Sequence, residues 1–161
     1  MKKIITPEKT IQVANTLHKQ NKKIVLTGGC FDLIHIGHIQ LLQKAKKQAD
    51  VLIVFVESDK TVRRLKGDSR PINNQLTRAK ILAALEDVDY ICLLPEFTSD
   101  RQYDELVIAI KPAIIATTQD DQHKEHKIRQ AAQTGAKVVT VTKRLPISSS
   151  RLLKIICQDY I

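Results

Sequence analysis

The sequence predicts an α/β fold built on a doubly wound, five-stranded parallel sheet. Apolar runs of strand length alternate with helical segments along most of the 161 residues, and this order implies crossover connections between parallel strands. The run from Val51 to Val56 is apolar without alternation, as expected of a strand that is buried on both faces. Aromatic residues make up only 4% of the chain, so the core must consist mainly of Ile, Leu, Val and Ala.

Hydrophobic periodicity, caps and turn residues define the predicted elements. We predict strands at about 23–28, 50–56, 88–94, 113–116 and 137–141. We predict helices at about 7–20, 37–48, 76–85, 99–110, from the 120s to 134, and 148–160, with residues 60–74 as a basic connecting loop. The prediction is a single domain over residues 1–161, in which 1–22 form a helical N-terminal extension and 23–161 form the catalytic core.

Charge and composition limit the possible partners and compartments. The 26 Lys and Arg residues outnumber the 17 Asp and Glu residues, for a net charge of +9, which favours anionic partners such as nucleotides, sugar phosphates or nucleic acid. Three scattered cysteines predict neither a disulfide framework nor a metal site. The N-terminal apolar segment is too short for a signal peptide, and no apolar run reaches membrane-spanning length. We therefore expect a cytoplasmic protein without a membrane partner.

The stretch from Leu26 to His38 combines a strand end, a glycine turn and a helix start. Gly28 and Gly29 end the apolar run, and this geometry leaves backbone N–H groups and a helix N-terminus facing an anion. His35 and His38 are three residues apart at the helix start, so they lie on the same side of it. Neutral imidazole donors suit a phosphate that gains charge in a transition state. The chain lacks both the G-x-G-x-x-G and the P-loop patterns.

These residues resemble the signature of a known enzyme superfamily. Gly29-Cys30-Phe31-Asp32 followed by His35-Ile36-Gly37-His38 is similar to the motif of the cytidylyltransferase-like nucleotidyltransferases. The similarity continues through Ser58-Asp59, the segment 64–71, Arg78, Val88-Asp89 and Ile147-Ser148-Ser149-Ser150. It spans about residues 24 to 155, and it implies a Rossmann-like nucleotidyltransferase fold.

The resemblance also implies roles for individual residues. His35 and His38 would stabilise the transition state at the α-phosphate of a nucleoside triphosphate, and Lys66 would belong to a mobile phosphate clamp. Nucleotide binding is implied for Gly28, Gly29, Cys30, Phe31, Gly37, Lys46, Arg78, Ser148, Ser149 and Ser150. Asp32 and Asp59 are candidates for substrate contacts, although either residue also suits a capping position. Arg78 would support either the loop before it or the phosphates.

The block from Arg64 to Pro71 is most similar to that of bacterial heptose 1-phosphate adenylyltransferases. This resemblance implies transfer of AMP from ATP to a sugar 1-phosphate, with Mg²⁺ carried by the triphosphate and with a homodimer as the assembly. A glycerol-3-phosphate cytidylyltransferase that uses CTP is the alternative enzyme. Against that alternative, Lys143 to Pro146 stand where the glycerol-phosphate enzymes carry an R-T-E-G sequence.

Two alternatives come from other classes of protein. The net charge also suits a basic nucleic-acid-binding module, but only three Phe and three Tyr are present to stack on bases. A fragment of a class I aminoacyl-tRNA synthetase has a similar histidine motif, but the chain is too short for such an enzyme.

His123 and His126 have a spacing that suits a metal ion, and we favour a solvated helix face for them because no partner cluster is visible. We therefore predict no metal site formed by the protein.

Overall fold

The computed structural model describes residues 3–119, 121–143 and 147–158. Within these residues the strands are β1 (Ile4–Ile5), β2 (Ile24–Gly29), β3 (Val51–Val56), β4 (Tyr90–Leu93), β5 (Ile114–Thr118) and β6 (Lys137–Thr142). The helices are α1 (Pro7–Lys19), α2 (Ile36–Lys46), α3 (Asp59–Lys66), α4 (Gln75–Ala83), α5 (Asp100–Ile110), α6 (Lys124–Thr134) and α7 (Ser149–Gln158).

The strands form one parallel sheet in the order β1-β4-β3-β2-β5-β6. The predicted α/β class and parallel sheet are confirmed, but the predicted number of five strands is wrong because β1 adds a sixth. Ile4 and Ile5 pair with Ile91 and Cys92 of β4 at the sheet edge. A two-residue strand is too short to show any periodicity in the sequence. The N-terminal segment therefore contributes a strand to the sheet as well as the predicted helix.

Apolar side chains cover both faces of the sheet. On one face, Leu17 of α1 and Val107 and Ile110 of α5 pack with Leu26 and Ile53 of the central strands. On the other face, α2 and α4 contribute Leu42, Ala45, Ala79 and Leu82 to a second core cluster. Helices on both faces are what a doubly wound parallel sheet requires.

The predicted loop at 60–74 is wrong in its first half, because the chain continues as helix α3 from Asp59 to Lys66. Ser58 caps this helix by accepting a hydrogen bond from the Thr61 N–H at 3.1 Å. Thr61 and Val62 of this helix are buried, while most of its remaining side chains are charged. Because only these two residues pack against the core, the composition of the segment does not indicate a helix. Gly67 then ends α3 with a φ of 95°.

The strand order creates a topological switch point beside β2. Strand β2 lies between β3 and β5, and the chain crosses from one side of β2 to the other after β4. In open α/β sheets, ligands bind in the crevice outside the carboxyl ends of the strands at such a point. We therefore expect the residues that follow β2, β3 and β5 to form the ligand site.

Candidate active site

A cavity of about 450 Å³ opens at the carboxyl ends of β2, β3 and β5. Its walls come from both sides of the glycine turn, including α5 and α6. Among the residues predicted for the site, the lining includes Gly28, Gly29, Cys30, Phe31 and His38. The structure thus brings the core of the predicted motif to one cavity at the switch point.

The two glycines allow the chain to pack closely at the floor of this cavity. A Cβ atom on Gly28 would lie 3.1 Å from the Phe55 Cβ atom, and one on Gly29 would lie 3.2 Å from the Phe31 ring. Phe31 itself has a φ of 49°, which turns the chain from β2 towards α2. Any larger residue at either glycine would therefore push against the aromatic side chains that pack on the turn.

His35 and His38 stack on each other at the start of α2. Their ring centroids are 3.9 Å apart and the ring planes differ by 28°. The Gly37 N–H donates to Nδ1 of His35 at 3.1 Å, so a neutral His35 ring carries its proton on Nε2. The same bond occupies the Gly37 N–H, which supports the histidine instead of facing a ligand.

The site keeps both imidazoles neutral. Burial lowers the pKa of His38 to about 3, with further contributions from His35 and from the Lys66 ammonium group. Burial also lowers the pKa of His35, and Lys66 acts in the same direction. Nδ1 of His38 is a buried atom without a hydrogen-bond partner in the described part of the chain. Neutral rings donate hydrogen bonds to a phosphate without losing a proton to it.

Lys66 supplies a cation close to this histidine pair. It is the last residue of α3, and its charge lowers the pKa values of His35 and His38. Burial raises the pKa of the neighbouring Cys30 thiol despite the Lys66 charge, so Cys30 contributes backbone and volume to the site but no thiolate. Among the described residues, no hydrogen bond or ion pair holds the Lys66 ammonium group.

Arg78 is a buried residue that connects the loops beneath the site. It is 0% exposed, and its guanidinium group donates to the carbonyl oxygens of Asn73, Cys30 and Glu57 and to the Asp59 carboxylate. These bonds occupy the guanidinium group with protein acceptors, so its position indicates support of the surrounding loops. Asp59 is held by the same contact, at 2.8 Å from Nη2 of Arg78.

The Asp32 carboxylate, like the Arg78 side chain, is bound by other groups of the protein. Its carboxylate accepts hydrogen bonds from Nε of Arg70 at 2.5 Å, from the Ile72 N–H at 3.0 Å and from the Asn73 N–H at 2.9 Å. Burial alone would raise the pKa of Asp32, but these N–H groups and the Arg70 charge hold that pKa below its usual value. Nη2 of Arg70 is buried without a partner in the described residues. Asp32 therefore anchors the segment after Gly67 beneath the glycine turn.

Lys46 does not reach the cavity, and its prediction as a nucleotide-binding residue is corrected here. Its ammonium group lies 2.6 Å from both the Asp89 carboxylate and the Asp50 carbonyl oxygen. Both aspartates directly precede strands, β4 and β3, so Lys46 lies at the amino-terminal edge of the sheet. The site lies at the opposite edge. The helical position of Lys46 is at the C-terminal end of α2, one full helix length from the histidines.

The serines at the start of α7 attach that helix to the motif loop. Ser149 is buried, and its hydroxyl group donates to the Leu33 carbonyl oxygen at 2.9 Å. Ser148 caps α7 by accepting a hydrogen bond from the Arg151 N–H at 3.2 Å, while Ser150 is exposed. The predicted departure at Lys143 to Pro146 includes residues 144–146, which lie outside the described residues.

Sequence reasoning missed a polar cluster on the β5 side of the cavity. The Asp121 carboxylate accepts hydrogen bonds from the Thr117 hydroxyl group and from the Lys127 ammonium group, the latter at 2.5 Å. His126 also lines the cavity, and its Nδ1 atom lies 3.2 Å from the Asp100 carboxylate. His123 is exposed and His126 is half-buried, and both residues line the cavity.

A second missed pair lies on the β3 side. Glu57 directly follows β3, and the Tyr103 hydroxyl group donates to Oε2 of Glu57 at 2.8 Å. Both residues line the cavity. Burial raises the pKa of Glu57, although the hydrogen bond from Tyr103 and the charges of Arg78 and Arg64 oppose that shift. No spacing in the sequence links these two residues, because the contact spans 46 positions.

The described residues form neither a metal cluster nor a membrane-spanning helix. No group of three or more His, Cys, Asp or Glu side chains in that part of the chain is arranged to hold a metal ion. Over the same residues, no helix has both the length and the apolar character that a membrane span needs.

An α/β sheet with a glycine turn, a neutral histidine pair and a free lysine at its switch point defines a nucleotide-binding class of site. The family model described as cytidylyltransferase-like matches residues 26–155. The chain therefore belongs to the cytidylyltransferase-like family, and the prediction from its motif blocks is confirmed. As a member of this family, it is a nucleotidyltransferase.

Several curated relatives carry the name bifunctional protein HldE. The protein of a Nitratiruptor species is 51% identical over 113 residues, which cover 70% of this chain and 24% of the relative. The protein of Desulfatibacillum aliphaticivorans is 40% identical over 141 residues, which cover 86% of this chain and 28% of the relative. The chain thus spans only about a quarter of the length of these relatives.

Solved structures show the same architecture. A lipopolysaccharide core biosynthesis protein from Thermoplasma volcanium is 29% identical, with a TM-score of 0.60 over 79% of this chain and 99% of that chain. A pantoate-beta-alanine ligase from Francisella tularensis superposes with a TM-score of 0.64 at 20% identity, over 98% of this chain and 77% of that chain. The second likeness supports the fold alone.

Proposed function

We propose that this nucleotidyltransferase transfers AMP from ATP to a sugar 1-phosphate, with heptose 1-phosphate as the preferred acceptor. The observation that carries the proposal is the stacked, neutral His35–His38 pair beside the glycine turn. Such a pair offers donors where negative charge develops on a phosphate, and it needs no proton transfer to do so. The products are pyrophosphate and an ADP-sugar.

The reaction follows from this arrangement as an in-line displacement. A phosphate oxygen of the acceptor attacks the α-phosphorus atom of ATP and forms a new P–O bond. The bond between that phosphorus atom and the bridging oxygen to the β-phosphate breaks, and its electron pair leaves with pyrophosphate. The attacking phosphate is already an oxyanion, so no side-chain nucleophile or general base is required. The protein contributes position and charge stabilisation.

Each part of the site has a role in this scheme. The N–H groups of the turn at Gly29 and Cys30 border the triphosphate, and His35 and His38 donate to the oxygens of the α-phosphate. Lys66 moves its ammonium group towards the leaving pyrophosphate, where negative charge accumulates. Ser149 keeps α7 against the motif loop so that the helix N-terminus faces the same phosphates.

We propose Mg²⁺ as part of the substrate, in the complex with ATP. The donor set of the chain supports this assignment, because Asp32, Asp59 and Asp121 each contact an arginine or lysine of the protein. The ion would neutralise charge on the triphosphate. In this scheme, no step depends on a metal site formed by the chain itself.

The sugar phosphate acceptor rests on the resemblance of the block from Arg64 to Pro71 to heptose 1-phosphate adenylyltransferases. The names of the HldE relatives and of the Thermoplasma volcanium protein support this choice of acceptor.

We also propose a single domain, a homodimer and a cytoplasmic location. Light scattering after size-exclusion chromatography tests the homodimer directly: a monomer mass at working concentration would refute it.

A four-way assay of pyrophosphate release tests the proposed function. ATP and CTP are each paired with heptose 1-phosphate and with glycerol 3-phosphate in the presence of Mg²⁺. We expect turnover with ATP and heptose 1-phosphate, together with an ADP-sugar identified by mass spectrometry. Turnover only with CTP and glycerol 3-phosphate would refute the proposal in favour of a cytidylyltransferase. Binding to generic RNA without any turnover would favour a nucleic-acid-binding module.

A further inference from the structure

Glu57 is a fixed carboxylate in the cavity that the transfer scheme does not use. Its backbone N–H donates to the Gly29 carbonyl oxygen at 3.2 Å, and its own carbonyl oxygen accepts from Arg78 at 2.7 Å. Tyr103 donates to Oε2 at 2.8 Å. Among the described residues, no hydrogen bond or ion pair reaches Oε1. One carboxylate oxygen is therefore held in place while the other remains open to a ligand.

The chemistry of this group excludes some ligands. A carboxylate repels phosphate oxygens, so the part of a substrate that faces Glu57 is not its phosphate. A carboxylate accepts strong hydrogen bonds from hydroxyl groups, and Oε1 has no other donor in the described part of the cavity. Burial raises the pKa of Glu57, and the Tyr103 hydrogen bond and the charges of Arg78 and Arg64 oppose that shift without cancelling it. Glu57 thus has the properties of an acceptor for a hydroxyl-bearing ligand.

Glu57 lies on the opposite side of the cavity from the expected nucleotide crevice. The switch-point crevice, where the nucleotide is expected, lies between β2 and β5. The polar cluster of Thr117, Asp121 and Lys127 borders that side. Glu57 follows β3, which is the opposite neighbour of β2. The part of the cavity near Glu57 is therefore left for the second substrate.

We propose that Glu57, oriented by Tyr103, selects the acceptor by accepting a hydrogen bond from one of its sugar hydroxyl groups. This inference rests on the proposed function, because it assumes a sugar phosphate as the second substrate. It adds a specificity residue that none of the sequence motifs identified. The recognised feature is a hydroxyl group at a fixed distance from the attacking phosphate.

The variant Glu57→Gln reverses the hydrogen-bonding character of the free position. Tyr103 continues to donate to the amide oxygen, which leaves the NH₂ group where Oε1 accepted a hydrogen bond. We expect the KM and the Kd for heptose 1-phosphate to rise about tenfold to hundredfold, as for a lost hydrogen bond to a charged group. The KM for ATP is expected to change less than about twofold. Glu105→Gln, an exposed acidic position on the same helix as Tyr103, is the matched control and should leave all three constants unchanged.

A series of monodeoxy sugar 1-phosphates separates recognition from a general structural loss. The wild type is expected to discriminate against the analogue that lacks the recognised hydroxyl group, and Glu57→Gln is expected to lose that discrimination. Equal weakening for every analogue, an unchanged Kd, or a loss of ATP affinity instead would overturn the inference. Tyr103→Phe serves as a second variant should Glu57→Gln fail to fold, and it is expected to weaken the same discrimination.

Binding measurements by calorimetry distinguish failure of this inference from failure of the proposed function. A wild type that binds heptose 1-phosphate without forming an ADP-sugar refutes the proposed function, while the comparison of Kd values still tests Glu57. If the wild type forms an ADP-sugar and Glu57→Gln has the same KM and Kd values for heptose 1-phosphate, only the inference is refuted. A wild type that binds no sugar phosphate overturns both.

Discussion

The variant Asp32→Asn tests whether the aspartate of the motif is structural. Asp32 and Arg70 form a pair whose side chains are 0% and 4% exposed. An asparagine of the same shape removes the charge, leaves Arg70 buried without a counter-charge and sets an NH₂ group against one of the N–H donors now facing the carboxylate. Breaking a buried pair at one partner costs about 3–5 kcal/mol, so we expect a loss of that size in the free energy of unfolding.

Urea denaturation followed by circular dichroism at pH 7 measures this loss, provided that the slope of the transition is unchanged. Glu105→Gln breaks an exposed pair with Arg101 and is the matched control, with an expected change below about 1 kcal/mol. A change of less than about 1 kcal/mol for Asp32→Asn would refute the structural reasoning. If such a stable variant also lost affinity for a substrate, Asp32 would be a ligand contact, as the sequence suggested.

Two further predictions concern charge at the site. Lys66→Ala should lower kcat about tenfold to hundredfold because the leaving pyrophosphate loses a cation. Lys46→Ala should keep kcat within about twofold. An unchanged kcat for Lys66→Ala would contradict the role of Lys66, and a comparable loss for Lys46→Ala would contradict the placement of Lys46. The free energy of unfolding should fall as the pH falls from about 6.5 to 5, by up to about 1.4 kcal/mol per pH unit for one proton. The reason is that unfolded His38 binds a proton in this range while the folded residue, with a pKa of about 3, does not. His38→Asn should reduce that slope, and an unchanged slope would show that His38 is not held neutral.

The sequence predicted the parts of the site that depend on local geometry. The glycine turn, the histidine pair and the start of α2 lie within one short stretch, so their relative positions follow from strand, turn and helix rules. The parallel sheet followed from the alternation of strands and helices. The prediction of helices on both faces was also correct, because the periodicity of α2 and α5 reflects burial of one helix face.

Contacts between distant segments could not be predicted in the same way. The Asp32–Arg70 pair, the Glu57–Tyr103 pair and the Asp121 cluster depend on how loops meet after folding, and no sequence period encodes them. The helical start of the 60–74 segment was missed because its charged residues obscured a stripe of only two buried side chains. Lys46 was misplaced because a helix position alone does not say which end of the sheet a long side chain reaches.

Single-residue kinetics at His38 test the central claim most directly. The measurement is kcat for ADP-sugar formation from ATP and heptose 1-phosphate with the wild type, with His38→Ala and with the control His18→Ala, which alters a histidine on α1 that is bonded to the Ile110 carbonyl oxygen. We predict that His38→Ala lowers kcat about 10²- to 10³-fold and that His18→Ala leaves it near the wild-type value. Equal kcat values for His38→Ala and the wild type would contradict the claim that the neutral histidine pair stabilises the transition state.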